Sequence, residues 1–338
     1  MKFKRIAIDT SKHIFTLHGV DEQENSVLRR ELKRAQVEGF FAKQEATEVV
    51  LEACGGSHHW GRLLSKLGHR VRLIPPQYVK PFVKRAKNDR NDAAAISEAA
   101  SRPTMRSVPV KTVEQQANGI ILKHREMLVN QRTQAINALR GHATEFGVIA
   151  AKGTIRVAAL LEKLAADTAI PAAARAMFAA LGAHIAALDQ RVVALDEELA
   201  ILHKADPVSQ MLAEIPGVGP LGALSIATTV ERANFKSARH FAAWLGLTPK
   251  EYSTAGKQRL GKISKAGNER LRQLLIVGAM SVVHFAKPGS KSASAWLLKL
   301  LERKPRKLAT VALANKMARI IWAMMARGQA YRRPPIAA

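Results

Sequence analysis

The chain has 338 residues, 47% hydrophobic and 5% aromatic, enough for two or three domains that each bury a core. Lysine and arginine number 53 against 27 acidic residues, a formal charge of +26 that favours polyanions, of which DNA and RNA are the abundant ones. A single cysteine, Cys54, excludes an internal disulfide framework and a cysteine-built zinc site. The chain has no run of ~18 uninterrupted apolar residues, and Asp9 interrupts any signal-peptide core, so no membrane span and a cytoplasmic, nucleoid-associated location are expected.

Residues 1 to about 105 alternate strands and helices. Arg5 to Ile8 is a short apolar run ending at Asp9, and His13 to Val20 alternates apolar and polar side chains as a half-buried strand does. Asp21 to Asn25 is a polar turn, followed by a third strand over Ser26 to Lys33. Helical spacing surrounds Phe40 and Phe41, and Glu48 to Leu51 is a buried strand ending at Glu52. A helix over about Ser57 to Leu67 leads to a strand at Arg70 to Ile74, stopped by Pro75 and Pro76. Asp89 then opens a helix through Ala100, its acid placed where the helix dipole favours one. The order β-β-β-α-β-α-β-α describes an α/β domain.

Residues 106 to about 205 are alanine-rich and helical in pattern. Leu181, Ile185, Leu188, Val192, Leu195, Leu199 and Leu202 recur at alternating steps of four and three, an a/d seam over three heptads. Such a seam suits a coiled coil, and a hairpin that dimerises the protein is the expectation; packing within its own domain is the alternative. The third region, 206–338, is mainly helical, glycine-punctuated and basic. Lys236 to Gln273 holds nine basic and two acidic residues, and from Lys287 onward twelve basic residues accompany only Glu302. The tail Tyr331-Arg-Arg-Pro-Pro is expected to be disordered.

Four acids stand out. Breaking a phosphodiester bond requires charge neutralisation at both the attacking and leaving oxygens, which two divalent metals held by carboxylates provide. Magnesium takes oxygen ligands and keeps waters, so three or four carboxylates suffice. Asp9 and Glu52 end two strands, while Asp89 and Asp92, three apart, share one helix face. Singly each has a plainer use: an acid after a strand often serves a turn, and Asp89 could be a helix N-cap. Nearby, His58 and His59 are consecutive and do not share a face, and Cys54 reads as a small buried residue.

The segments Ala7 to Lys12 (AIDTSK), Leu51 to Gly56 (LEACGG) and Lys87 to Ala93 (KNDRNDA) resemble the three acidic motifs of the DEDD transposases, insertion-sequence recombinases with a RuvC-like, ribonuclease-H-type catalytic domain. The resemblance implies that Asp9, Glu52, Asp89 and Asp92 bind two Mg²⁺ ions.

Further along, Leu212 to Ala227 reads helix, glycine turn, helix, and resembles a helix-hairpin-helix whose Gly217 and Gly219 would let backbone N–H groups meet a phosphate; a packing corner is the alternative. From Trp244 to Arg272 runs a loop of small residues with spaced cations, Lys257, Arg259, Lys262, Lys265 and Arg270, suited to close approach to a phosphate backbone. On its own residues, Ser253 is a loop serine. The stretch resembles the second signature of the same transposases, a serine-containing glycine loop followed by Gly-x-Ile-Ser-Lys-x-Gly. This implies that Ser253 is the nucleophile joined to DNA, with Thr254 and Ser264 as runners-up. Ala255 stands where that family usually has glycine, which restricts positive φ.

The resemblance covers nearly the whole chain. It implies a DNA transposase that cleaves and rejoins strands, acts as a homo-oligomer (dimer or tetramer), and in some members is guided by an element-encoded RNA. A structure-specific RuvC-like endonuclease, needing the four acids but not Ser253, is the rival reading.

Overall fold

A computed structural model of the chain describes residues 2–84, 88–231, 234–290 and 294–332. Two compact units divide at Gln116 and Ala117.

The first unit is built on a five-stranded sheet. Strands β1 (Arg5–Thr10), β2 (Ile14–Val20) and β3 (Ser26–Lys33) run antiparallel in succession. Strands β4 (Glu48–Glu52) and β5 (Arg70–Ile74) lie parallel to β1, giving the order β3-β2-β1-β4-β5. Successive side chains on a strand point to opposite faces, and two cores follow. Ile6 and Ile8 of β1 and Val49 and Leu51 of β4 pack with Val37 and Phe41 of α1 (Val37–Phe41) and Trp60 and Leu64 of α2 (Ser57–Lys66). On the other face Ala7 and Val50 pack with Val79 of α3 (Pro76–Val79) and Ala95, Ile96 and Ala99 of α4 (Asp89–Ser101). Small residues on both sides of this second contact let α4 lie close over β1 and β4.

After α4 the chain returns to the sheet. The Val108 amide donates to Leu73 O at 2.8 Å, and Val108 and Val110 pack against the first core, so residues 106–112 belong with this unit. A mixed sheet with helices on both faces fits the expected RNase H-like architecture.

The second unit is helical apart from one hairpin. Its helices are α5 (Val113–Glu145, which begins just before the division), α6 (Val157–Ala166), α7 (Ala172–Ala205), α8 (Pro207–Ala213), α9 (Pro220–Thr229), α10 (Ala238–Trp244), α11 (Glu269–His284), α12 (Ala295–Arg303) and α13 (Arg306–Arg327). Between α10 and α11 stands an antiparallel pair, β6 (Pro249–Glu251) and β7 (Leu260–Ile263), where a loop was expected. Alternation is weak there because every residue from Lys250 to Gly261 is exposed, and a strand without a buried face carries no hydrophobic signal.

The heptad seam is used inside the chain. Leu188 and Val192 are buried against Leu128 of α5, and Ile185 packs with Ile136, Leu139 and Leu160. Arg125–Asp196 and Arg132–Asp189 ion pairs flank the seam. Within the chain, residues of α5 and α6 pack against this stripe, as the alternative of packing within its own domain describes. Helices α7 and α13 are long and apolar enough to cross a membrane by length and composition. Both place apolar residues in these cores, α13 through Ala314, Met317, Ala318 and Ile321.

The tail is likewise more ordered at its start than expected. Tyr331 donates its amide to Glu214 Oε2 at 3.0 Å and packs against the core of α8–α11 and α13; residues 333–338 lie outside the described residues.

Arg5 is the largest buried side chain of β1, 2% exposed. It donates to Ser97 Oγ on α4 at 3.3 Å, pairs with Glu24, and lies 3.9 Å from Glu48, itself paired with Arg72 at 3.2 Å. Removing one member of a buried ionic group leaves the others uncompensated, so Arg5→Ala is expected to destabilise this unit by about 3–5 kcal/mol. Arg5→Met, which keeps the volume, should lose less; urea unfolding of both variants checks the order.

Candidate active site

Register brings the acids together. Ile8 of β1 pairs with Leu51 of β4, so the next residues, Asp9 and Glu52, sit side by side at the C-terminal ends of two parallel strands. Two residues beyond Ala7 and Val50, both side chains fall on the face covered by α4. That helix begins at this rim. Asn88 caps it, accepting the Asn91 amide at 2.9 Å, so Asp89 is not the cap and its carboxylate is left for another role. One ligand atom each from Asp9, Asp89 and Asp92 lies within 4.8 Å of the others. Glu52 stands outside this trio, yet its charge reaches Asp9.

Burial, and then the like charges of Asp89, Asp92 and Glu52, push the Asp9 carboxyl up to about 6. Three carboxyl groups converging without an ion pair among the described residues form an oxygen-only donor set. That set suits a hard divalent cation such as Mg²⁺, which would hold these acids ionised together.

The neighbouring candidates separate from the cluster. His58 Nδ1 accepts the Lys111 amide at 3.2 Å, a structural use. Cys54 is exposed, contrary to expectation, because β4 ends at Glu52 and Cys54 lies in the turn at the sheet rim, its sulfur 3.4 Å from Thr10 Oγ1.

In the second unit Ser253 stands near the tip of the β6–β7 hairpin. Its hydroxyl donates to Glu251 Oε1 at 2.7 Å and accepts the Arg259 amide at 3.1 Å. The Ser253 hydroxyl thus has a carboxylate proton acceptor within hydrogen-bond reach. Glu251 was missed in the sequence, although residues two apart on a strand share a face and the Glu-x-Ser spacing carried that signal. The runners-up are placed differently: Thr254 pairs with Lys257 across the turn, and Ser264 Oγ accepts the Ala266 amide at 3.4 Å.

The two central turn residues, Ala255 (φ 47°) and Gly256 (φ 78°), are both left-handed, as a type I′ hairpin demands. At its base the hairpin is anchored by Gly267, whose missing Cβ would fall 1.7 Å from Trp244 O, and by Arg272, which donates to Leu245 O and Ala266 O.

Lys257, Arg259, Lys262 and Lys265 are exposed on or beside this hairpin. Arg270 is instead paired with Glu126 of α5 at 3.3 Å. Between α8 and α9 the expected glycine turn is present. Gly217 (φ 88°) meets the backbone of Gly278 on α11, where a Cβ would come within 2.7 Å of a carbonyl oxygen, so this glycine serves close packing. Gly219 is the N-cap of α9 and has open space around it.

Residues 6–147 match a family model of DEDD transposases of the IS110 type, and residues 209–294 match one described as the transposase IS116/IS110/IS902 family. A putative transposase, y4pF/y4sB, of Sinorhizobium fredii is 54% identical over 97% of this chain and 85% of its own length. A probable family 20 transposase of Pseudomonas aeruginosa is 45% identical over 98% of this chain and 99% of its own. The transposase for insertion sequence element IS1111A of Coxiella burnetii is 42% identical, covering 97% and 91%.

Two outcomes are expected. A carboxyl whose folded pKa is raised stabilises the fold below its unfolded value near 3.8, and that contribution is lost as pH rises through about 6. The metal-free protein should therefore melt lower at pH 7.5 than at pH 5. After discounting for partial exposure, Asp9→Asn should recover roughly 2–4 °C at pH 7.5 while abolishing stabilisation by Mg²⁺, both read by calorimetry. At the hairpin tip, Ala255→Gly relieves a left-handed alanine and should stabilise the turn by about 1 kcal/mol. Slower hydrogen exchange at the Lys257 amide would show it, and Ala255→Val should act in the opposite sense.

Proposed function

The chain belongs to the IS116/IS110/IS902 family of insertion-sequence transposases, and from that premise we propose a DNA strand-transfer mechanism that uses a metal site and a serine nucleophile. The observation that carries it is the convergence of Asp9, Asp89 and Asp92 at the open end of the sheet. Glu52 joins them as the fourth acid, on the strand beside Asp9. These carboxylates would hold Mg²⁺, two ions in the full proposal, which supplies charge neutralisation at the oxygens of the reacting phosphate.

Ser253 is the nucleophile in this reading, and its 2.7 Å hydrogen bond to Glu251 supports it over Thr254 and Ser264. Glu251 takes the hydroxyl proton as Oγ attacks phosphorus. The Oγ–P bond forms while the bond from phosphorus to one sugar oxygen breaks, and that oxygen leaves with a proton. The resulting phosphoserine ester keeps the bond energy of the phosphodiester. Attack by the hydroxyl of a new DNA end therefore restores a diester and frees the serine without ATP.

Lys257, Arg259, Lys262 and Lys265 neutralise flanking phosphates, and Gly219 at the start of α9 adds sequence-independent backbone contacts in the manner of a helix-hairpin-helix. In this reading the catalytic part is the first unit, up to Gln116, and the serine-bearing part follows the helical region from about residue 206. A guide RNA and assembly of several copies on the DNA ends complete the proposal. The charge of +26 gives room for both nucleic acids.

Strand transfer with Mg²⁺, the element's DNA ends and its noncoding RNA tests this in the wild type, Ser253→Ala, Glu251→Gln and Asp9→Ala. Expected are a covalent protein–DNA species lost in Ser253→Ala and a rate about 10²–10⁴-fold lower in Glu251→Gln. Cleavage that survives Ser253→Ala but disappears in Asp9→Ala would make the protein a metal nuclease instead. Undiminished transfer without RNA would remove the guide.

A further inference from the structure

Beside the serine hairpin lies a groove of about 1350 Å³, walled by β6, β7, α11, α12 and α13. Its floor is apolar, with Ile263, Ile276, Leu308, Val311 and Ile320. Leu308 is 54% exposed and Trp296 is 39% exposed, so apolar surface on both helices is open at the groove. Around this floor stand Lys262, Lys265, Lys307, Lys316 and Arg319, with no acid among the described lining residues. None of the five has an ion pair among the described residues. The ammonium of Lys316 sits 4.1 Å from the centre of the Trp296 ring. Burial, then the neighbouring Arg319, lowers its pKa, so the groove holds a partly desolvated cation with no counter-charge.

We propose that this groove binds a single strand of DNA, bases toward the apolar floor and phosphates toward the cations, as the track along which the strand leaves the serine. This rests on the reading of Ser253 as the nucleophile. A duplex turns only phosphates and groove edges outward and would leave the floor uncovered, whereas unpaired bases bring flat apolar faces to it. Acidic peptides satisfy the cations but bring no flat apolar face to Trp296 and the aliphatic floor.

Position selects DNA. Pro249, Gly261, Lys262 and Ile263, which line the groove, are the base of the hairpin that carries Ser253. Ser253 lies four residues after Pro249, at most about 14 Å of extended chain. At about 3.4 Å per nucleotide along one strand, a DNA end held at the serine reaches the groove within roughly four nucleotides.

The test is binding of a labelled twelve-nucleotide oligodeoxythymidine by full-length Ser253→Ala protein, measured by anisotropy over a salt series, beside the same length of duplex and of oligouridine. Using Ser253→Ala keeps the result independent of the covalent chemistry. Tighter binding of the DNA single strand is expected, with about a tenfold loss in Trp296→Ala. Lys316→Gln with Arg319→Gln should flatten the log–log salt slope by roughly 1.4, about 0.7 for each cation. Leu308→Glu, at a position exposed enough to keep the fold, should weaken binding as well. Equal or tighter binding of duplex, preference for oligouridine, or indifference to all three changes would overturn the groove. The fate of the Ser253 adduct in the wild type, assayed separately, decides the premise.

Discussion

Bringing three carboxylates within 4.8 Å of one another opposes folding, and much of the first unit can be understood as the structure that imposes it. Asp9 cannot retreat, because β1 is held on both sides, antiparallel to β2 and parallel to β4. Asp89 and Asp92 cannot retreat, because α4 is drawn onto the sheet by Ala95, Ile96 and Ala99 over Ala7 and Val50. A fully buried isoleucine contributes about 1.5–3 kcal/mol, and the small neighbours let it seat deeply. At the far end of β1, Arg5 ties the same strand to Ser97 of the same helix. The repulsion is thus confined to one end of a helix–sheet contact whose other end is attractive, and it adds to burial in raising the Asp9 pKa.

The serine hairpin follows a different logic. It has no core of its own, so its shape comes from backbone pairing and its base. Gly267 and Arg272 fix that base against the end of α10, while the tip depends on two consecutive left-handed residues. Alanine at one of them weakens the turn without altering its register, because Thr254 and Lys257 still exchange their backbone hydrogen bonds. Ser253 lies between the rigid base and the strained tip, held by Glu251 and the Arg259 amide. Pre-orientation of the hydroxyl therefore rests on two side-chain bonds at an exposed position, and its geometry is the most easily perturbed part of the proposed chemistry.

What could be read in advance follows from where burial leaves a periodic mark. The strands β1, β2, β4 and β5 were legible because one or both faces carry buried residues, whereas β3, exposed but for Leu32 and a few half-buried residues, was placed at its observed limits, Ser26–Lys33, by the polar turn before it. The acids were legible as ends of strands and the start of a helix, and parallel register explains why such ends meet. The hairpin strands were not legible, since wholly exposed strands have no alternation to show. The heptad seam was found at the right residues, but periodicity records only that a stripe is covered. It does not say whether the cover is α5 of the same chain or a second copy. Gly217 was singled out as a glycine that allows backbone approach, and what it approaches within the chain is Gly278 of α11.

The pattern of unneutralised charge gives the functional reading its internal consistency. Elsewhere this basic chain supplies cations to its acids freely: Glu48 has Arg70 and Arg72, Glu98 has Lys84 and Arg102, Asp189 and Asp196 have arginines from α5. Yet Asp9, Asp89 and Asp92 have no ion pair among the described residues, although surplus cations are the chain's most abundant charged groups. A structural cluster would have been quenched by a lysine or arginine at little cost. In the proposed reading a bound cation would hold these acids ionised, coupling their charge state to metal occupancy. The groove beside the serine hairpin shows the converse, five cations with no acid among the described lining residues. Acids left for a cation and cations left for phosphates are the two complements that a metal-assisted phosphoryl transfer on a nucleic-acid strand requires.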